Sequence, residues 1–409
     1  MAQQHRSWWR AMGAGLVAAA SDNDPTTVAS LSVIGASTGF QLLWLVVLVI
    51  PMLAVVQVIS GSIGVVCRQQ LQKAIERGYG KTWSVIALVS VVAVSTVTLA
   101  ADLEGGAAAL ELISHLAYRF LILPLALAVG ALLVLGSYRR ITQVLRYLLL
   151  VFVAYIGAAF LARPDWLAVL RYSFVPHFSL SGDVVAGALA LLGTTLTSYA
   201  YYWESIEESE EHPSLRLLPA IKLDAALGMV GAGIIFWFII VTTAATIGAH
   251  HGRVETAEDA ARALVPFAGR FASLLFGIGL LASALLAVPV LAATNGYAAA
   301  SVFGWRAGLD LHYRQGRAFY NVVLGSLVVA LVLTLAGVAP IRLLFISSIL
   351  GGLGTPITLG LMMLVARNRK VMHGRPISLG LAIAGWCVTA IVCVACALFL
   401  WQTFFVANG

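Results

Sequence analysis

The sequence predicts an all-α, polytopic membrane protein: two five-helix halves that cross the bilayer in opposite directions, followed by one extra helix. Three observations carry this prediction. Of the 409 residues, 60% are hydrophobic and only 11% charged, mean hydropathy is +0.94, and apolar runs of about 20 residues recur, the length that crosses a hydrocarbon core. The first and sixth runs are each interrupted by polar residues near mid-depth. Because they lie five spans apart, the halves they begin are inverted relative to each other, and paired interrupted helices at matching places in inverted halves mark a mid-membrane transport site.

Eleven spans follow in order. Helix 1 covers 11 to 36, and helix 2 runs from Gln41 to Val66. A loop with Arg68, Lys73, Arg77 and Lys81 leads to helix 3, Trp83 to Ile113, which is long for one crossing. Helix 4 extends from Phe120 to Gly136, ending at Arg139-Arg140, and helix 5 takes Val144 to Ala162. Residues 164 to 182 leave room for an interfacial segment before helix 6, about 184 to 207. Helices 7 (Lys222 to Ile247), 8 (Phe267 to Phe303), 9 (about 319 to 336) and 10 (Ile341 to Ala366) complete the second half. The expected division is therefore an N-terminus of 1–10, a first repeat of 11–176, a second of 177–370 and a further helix in 371–409. With the N-terminus inside, 18 of the 25 Lys and Arg fall in inner loops, so the positive-inside rule gives a cytoplasmic N-terminus in a bacterial-type inner or plasma membrane. The same loops explain the net charge of +7, so nucleic acid is not an expected partner; the lipid bilayer is.

Helix 1 is interrupted by Ser21-Asp22-Asn23-Asp24-Pro25-Thr26-Thr27. Proline lacks a backbone donor and biases the residue before it away from helix, so the rod breaks here. Broken backbone persists in hydrocarbon only where protein or a watery cavity surrounds it, and a carboxylate there costs about 2.5–3.5 kcal/mol or more, so Asp24 reads as a cation site. Asp22 is either a second site acid or a cap for free N–H groups. In helix 6 the interruption is Gly193-Thr194-Thr195-Leu196-Thr197-Ser198-Tyr199 and onward to Glu204; taken alone, its threonines could equally bond back to their own helix. Asp102 and Glu104 lie about 200° apart around helix 3 and cannot face one cavity together. Glu111 and Asp224, near span ends, are expected to be hydrated or ion-paired. Glu204, Glu207, Glu208 and Glu211 share one face of an acidic run that also holds Glu210, as a solvated end or a cation-concentrating mouth.

All eight histidines fall in loops or near span ends, which leaves no intramembrane histidine relay. The Cys393 and Cys396 pair sits in an apolar helix without further ligands and reads as packing. No phosphate loop, HExxH or nucleophile elbow occurs, so neither an enzyme nor an ATP-driven pump is expected, and no cofactor.

Asp24-Pro25-Thr26-Thr27-Val28-Ala29-Ser30, followed by Gly35, Gly39-Phe40 and Leu42-Leu43-Trp44, resembles the first-helix signature of the NRAMP family of divalent metal transporters, Asp-Pro-Gly-Asn-Phe-Ala-Thr with downstream Gly, Gly-Tyr and Leu-Leu-Trp. Ala101-Asp102-Leu103-Glu104-Gly105 resembles that family's third-helix Thr-Asp-Leu-Ala-Glu, and helix 6 keeps Gly193, Thr195, Tyr202 and Ser205 of its sixth-helix motif. The resemblance implies a leucine-transporter-like fold with helices 1 and 6 broken, and alternating access around a metal held at Asp24, Thr27, Thr194 and Thr197. It further implies pathway or coupling roles for Asp102, Glu204 and Ser348, with Asp22 and Glu104 as further candidates. The departures matter: Thr27 replaces an asparagine ligand, Thr197 a methionine, Tyr199 and Glu204 two histidines, and the acid of the third helix moves one residue to Glu104. The chain is therefore similar to a divergent branch near the NRAMP-related magnesium transporters. Without the thioether, the oxygen donors favour Mg²⁺ or Mn²⁺ over soft metals. Without the histidines, gradient-driven flux is favoured over tight proton symport. A carrier of amino acids or organic cations on the same fold is the alternative, a non-transporting metal sensor the alternative of another class, and a monomer the expected state.

Overall fold

The computed structural model describes residues 23–134, 149–211 and 215–406, and among these no strand occurs. Eight helices are long and apolar enough to cross a membrane, two shorter apolar ones (Tyr118–Val134 and Val151–Ala162) correspond to helices 4 and 5, and Pro25–Thr38 is the described part of helix 1. Together they make the eleven expected spans. The N-terminal segment 1–10, the first half of helix 1 with Asp22, and Arg139-Arg140 lie outside the described residues. Large apolar side chains such as Phe120, Leu127, Val328 and Val394 stand exposed on the outside, as lipid-facing side chains do.

The inverted repeat can be read from which helices touch. Helix 1 packs on helix 7 (Leu218–Thr246) as helix 6 packs on helix 2 (Leu43–Cys67). Helix 4 packs on helix 3 (Lys81–Ser114) as helix 9 (Arg317–Thr334) packs on helix 8 (Ala272–Phe303). Helix 10 (Pro340–Arg367) lies against helix 3, and the segment opening helix 5 lies against helix 8, in the same relation. Each contact has its counterpart five spans on, so the two halves share one packing plan. Helices 3 and 8 form the most extensive pair, a central column on which the broken helices rest. Helix 3 spans 34 residues, about 50 Å at 1.5 Å per residue, and so outruns a core of about 30 Å.

Helix 6 is two helices, Gly182–Thr195 and Ser198–Glu211, parted at Leu196 and Thr197. The loop after helix 2 holds a further helix, Leu71–Tyr79, which buries Leu71, Gln72, Ala74 and Ile75. It is tied to the second half of helix 6: the Leu71 N–H donates to Ser205 Oγ (3.0 Å) and the Tyr202 hydroxyl to Gln72 Oε1 (3.2 Å). The interfacial segment is the helix Trp166–Phe174, capped by Asp165, whose Oδ1 accepts from the Leu167 and Ala168 N–H groups.

The acidic face of helix 6 straddles the edge of its contact with helix 2. Glu204 and Glu208 are buried against Gly61 and Gly64 of helix 2, whereas Glu207, Glu210 and Glu211 are exposed. Asp224 is buried and Glu111 half-buried.

Candidate functional site

The site begins with the start of helix 1's second half, Pro25–Thr38. Asp24 is extended (φ −67°, ψ 163°) and caps the helix, its Oδ1 accepting from the Thr27 N–H at 2.6 Å. Pro25 follows at the first helical position, where the missing N–H costs nothing. The remaining early donor, the Thr26 N–H, goes to Asp102 Oδ1 of helix 3 (3.1 Å), and the Thr26 hydroxyl donates to the same oxygen (2.6 Å). The first free donors of a helix thus meet two carboxylates, one local and one 76 residues away. The helix dipole favours negative charge at this end, yet two carboxylates exceed its partial positive charge.

Each carboxylate keeps a second oxygen. Asp24 Oδ2 accepts from the Tyr199 hydroxyl at 2.6 Å, across from the second half of helix 6. Among the described residues Asp102 Oδ2 is buried without a hydrogen-bond partner. Asp24, Thr27, Thr194 and Thr197 are exposed by only 2%, 0%, 4% and 4%, so the site is closed to solvent in this conformation.

Around the acids stands a ring of hydroxyls. Thr27 Oγ1 and Thr194 Oγ1 lie 2.9 Å apart and link the second half of helix 1 to the first half of helix 6. Ser30 Oγ and Ser348 Oγ lie 2.6 Å apart and link helix 1 to helix 10, while the Ser347 hydroxyl donates to Thr98 Oγ1 of helix 3 at 3.0 Å. At the break in helix 6, the Leu196 carbonyl has run out of helical donors and accepts from the Thr355 hydroxyl of helix 10 (3.2 Å). The Asn23 carbonyl, just ahead of helix 1's second half, accepts from the Ser283 hydroxyl of helix 8.

The expected residues are therefore unequally placed. Asp24, Thr27, Thr194, Asp102 and Ser348 converge, and Thr197 lies in the break two residues before Tyr199. Glu204 lies five residues beyond Tyr199, about 7.5 Å of helix rise, toward helix 2 and away from the first contacts of Asp24. Glu104 is buried with Oε2 unpartnered, about 200° around helix 3 from Asp102. Tyr199, Thr26, Thr355 and Ser283 are the additions. Only Tyr199 carried a signal, as a polar ring where the resemblance places a histidine. Among the described residues no three His, Cys, Asp or Glu gather, so a cation here would rest on few charges and many neutral oxygens.

The profile of the natural resistance-associated macrophage protein-like family, Nramp, matches residues 15–402. The divalent metal cation transporter MntH of Deinococcus radiodurans is 26% identical, covering 96% of this chain and 89% of that protein. MntH of Mycobacterium tuberculosis is 28% identical, with 97% and 92% covered. Among solved structures, a manganese transporter of Eremococcus coleocola matches with a TM-score of 0.77 at 18% identity, covering 98% of this chain and 88% of that one. Mhp1, a nucleobase-cation-symport-1 family transporter in a closed conformation, matches with a TM-score of 0.63 at 16% identity, with 97% and 93% covered. These matches bear out the fold, two broken helices in inverted halves, and with a family profile spanning nearly the whole sequence they give the conclusion that this chain belongs to the Nramp family.

Proposed function

We propose that this protein is a secondary transporter that moves hard divalent cations, Mg²⁺ or Mn²⁺, across the membrane by alternating access, without tight proton coupling. The observation that carries the reading is the pairing of Asp24 and Asp102 at the start of helix 1's second half, with Tyr199 reaching across from the second broken helix. A divalent cation offsets the surplus negative charge of two carboxylates. The names of the MntH relatives support a divalent metal as cargo. The oxygens of Asp24, Thr27, Thr194 and Asp102 support a hard one, since Mg²⁺ and Mn²⁺ prefer carboxylate, hydroxyl and water ligands. Side chains at 2.6–2.9 Å from one another favour a small ion over an organic solute. In this reading residues 11–176 and 177–370 are the two repeats, the N-terminus is cytoplasmic and the carrier works as a monomer.

Uptake of Mg²⁺, Mn²⁺, Ca²⁺ and Cd²⁺ into liposomes holding the purified protein, with a pH dye inside, tests the reading. Mg²⁺ or Mn²⁺ enters fastest and internal pH holds steady; a strong Cd²⁺ preference, or acidification that tracks metal entry, overturns the corresponding half. Replacing Thr197 with Met puts a thioether at the break and shifts the selectivity. The Cd²⁺-to-Mn²⁺ uptake ratio rises about tenfold in Thr197→Met, the effect of one good ligand contact of about 1.4 kcal/mol, because soft ions gain from sulfur and hard ions do not.

A further inference from the structure

We propose that the Tyr199 hydroxyl is the stand-in ligand of the empty carrier: it takes the place on Asp24 that a cation takes during transport, and so lets the protein close and return without cargo. This rests on the divalent-cation reading above.

A carrier driven only by its substrate gradient must recross empty, and to do so it must enclose Asp24 with no cation beside it. A bare carboxylate in a dry interior is costly unless donors surround it. In the structure Asp24 is enclosed and each of its oxygens meets a donor. Asp24 is 2% exposed, Oδ1 takes the Thr27 N–H at 2.6 Å, and Oδ2 takes the Tyr199 hydroxyl at 2.6 Å. The two donors differ in kind. The Thr27 N–H belongs to the same helix turn as Asp24 and moves with it, so it caps the helix in every conformation. Tyr199 belongs to the other broken helix, in the first turn after the break at Leu196 and Thr197, and its bond spans the junction that has to open.

The phenol suits this task because its ring is fixed. Tyr199 is buried in an apolar cluster with Leu99 and Leu103 of helix 3 and Val288 of helix 8, the central column of the fold. The hydroxyl is thus presented to Asp24 from a rigid support, and an O–H to a carboxylate oxygen at 2.6 Å is a short, charge-assisted bond. A neutral O–H neither adds charge nor requires a proton to be carried, so return without cargo needs no proton flux. Cation entry breaks the bond, which makes Tyr199 a competitor for the substrate as well as a support for the empty state.

The test separates empty from loaded recrossing. Mn²⁺ flux is measured into liposomes free of internal Mn²⁺, where the carrier returns empty, and into liposomes preloaded with Mn²⁺, where it returns loaded. In Tyr199→Phe, which keeps the ring and its packing, the ratio of net uptake to exchange falls about tenfold or more, the size of one hydrogen bond to a charged group. Mn²⁺ binding to the purified protein tightens by a similar factor, a gain that loss of folding cannot produce. Tyr199→His returns a donor and restores the ratio. A ratio unchanged in Tyr199→Phe, an equal loss of both fluxes, weakened Mn²⁺ binding, or a Tyr199→His ratio as low as that of Phe each overturns the stand-in role. If the unaltered protein carries no Mn²⁺ in either condition, the divalent-cation reading itself has failed.

Discussion

Asp24→Asn abolishes divalent-cation flux while leaving the fold intact. The amide oxygen still accepts from the Thr27 N–H, so the cap on helix 1's second half survives and stability changes by less than the ~1 kcal/mol that loss of an N-cap costs. What disappears is the negative charge on the oxygen that Tyr199 now touches. Even partners one step removed from a metal are worth about 10–100-fold in affinity, so losing the charged ligand costs uptake about 100-fold or more. Asp24→Ala removes charge and cap together, and so pairs the same loss of flux with a lower thermal midpoint. Comparing the two in liposome uptake and in thermal unfolding of the detergent-solubilised protein separates the cation's requirement from the helix's. Flux retained in Asp24→Asn would remove the central charge from the mechanism.

The same residue shows how far local chemistry reaches. An acid before a proline, followed by two threonines, is a helix start by rules that act within four residues, and the structure obeys them at Asp24, Pro25 and Thr27. The break in helix 6 is legible for the same reason, as a polar run inside an apolar one, and the inversion of the halves follows from counting spans between the two breaks. Long-range pairing is not legible in that way. Nothing within helix 3 says that Asp102 meets Thr26, because the angle between Asp102 and Glu104 excludes a shared face without saying which of them faces helix 1. Tyr199 is visible as a substituted position, but the direction of its hydroxyl depends on the packing of its ring against helices 3 and 8.

Other differences have their own causes. The helix Leu71–Tyr79 has apolar residues at 71, 74 and 75, a helical spacing hidden within a loop marked out by Arg68, Lys73, Arg77 and Lys81. The glutamate stripe divides because Gly61 and Gly64 of helix 2 admit the backbone of helix 6 closely and cover Glu204 and Glu208. A periodicity identifies the face but not its neighbour. Cys393 and Cys396 illustrate the opposite case, since an apolar helix decides their fate directly: one is exposed on the outer surface and the other is buried, its thiol donating to the Gly352 carbonyl at 3.2 Å.

Gly193→Ala destabilises the protein and stops transport although it adds one methyl group. An ideal Cβ at Gly193 would lie 2.0 Å from the Ser348 carbonyl oxygen, 2.3 Å from the Gly352 nitrogen and 2.7 Å from the Gly352 Cα. All three are backbone atoms of helix 10, and no rotamer can move them aside. A Cβ at Gly351 would in turn meet the Gly193 carbonyl oxygen at 2.9 Å, and one at Gly352 the Leu189 carbonyl oxygen at the same distance, so helices 6 and 10 touch backbone to backbone through small residues on both sides. Overpacking typically costs about 1–3 kcal/mol, and rigid atoms on every side place this case at the upper end, about 3 kcal/mol. The consequence for transport is geometric. Pushing helix 10 away moves Ser348 from Ser30 and Thr355 from the Leu196 carbonyl, and tilts Thr194 away from Thr27. Gly231→Ala in helix 7 supplies the contrast, since nothing lies within 4 Å of its Cβ and replacing a helical glycine there gains about 0.5–1 kcal/mol. A lower thermal midpoint with lost flux for Gly193→Ala, beside an unchanged or higher midpoint with normal flux for Gly231→Ala, ties the hydroxyl ring to the spacing of two helices. Equal behaviour of the two variants would mean that helices 6 and 10 tolerate separation and that the ring around Asp24 does not depend on their contact.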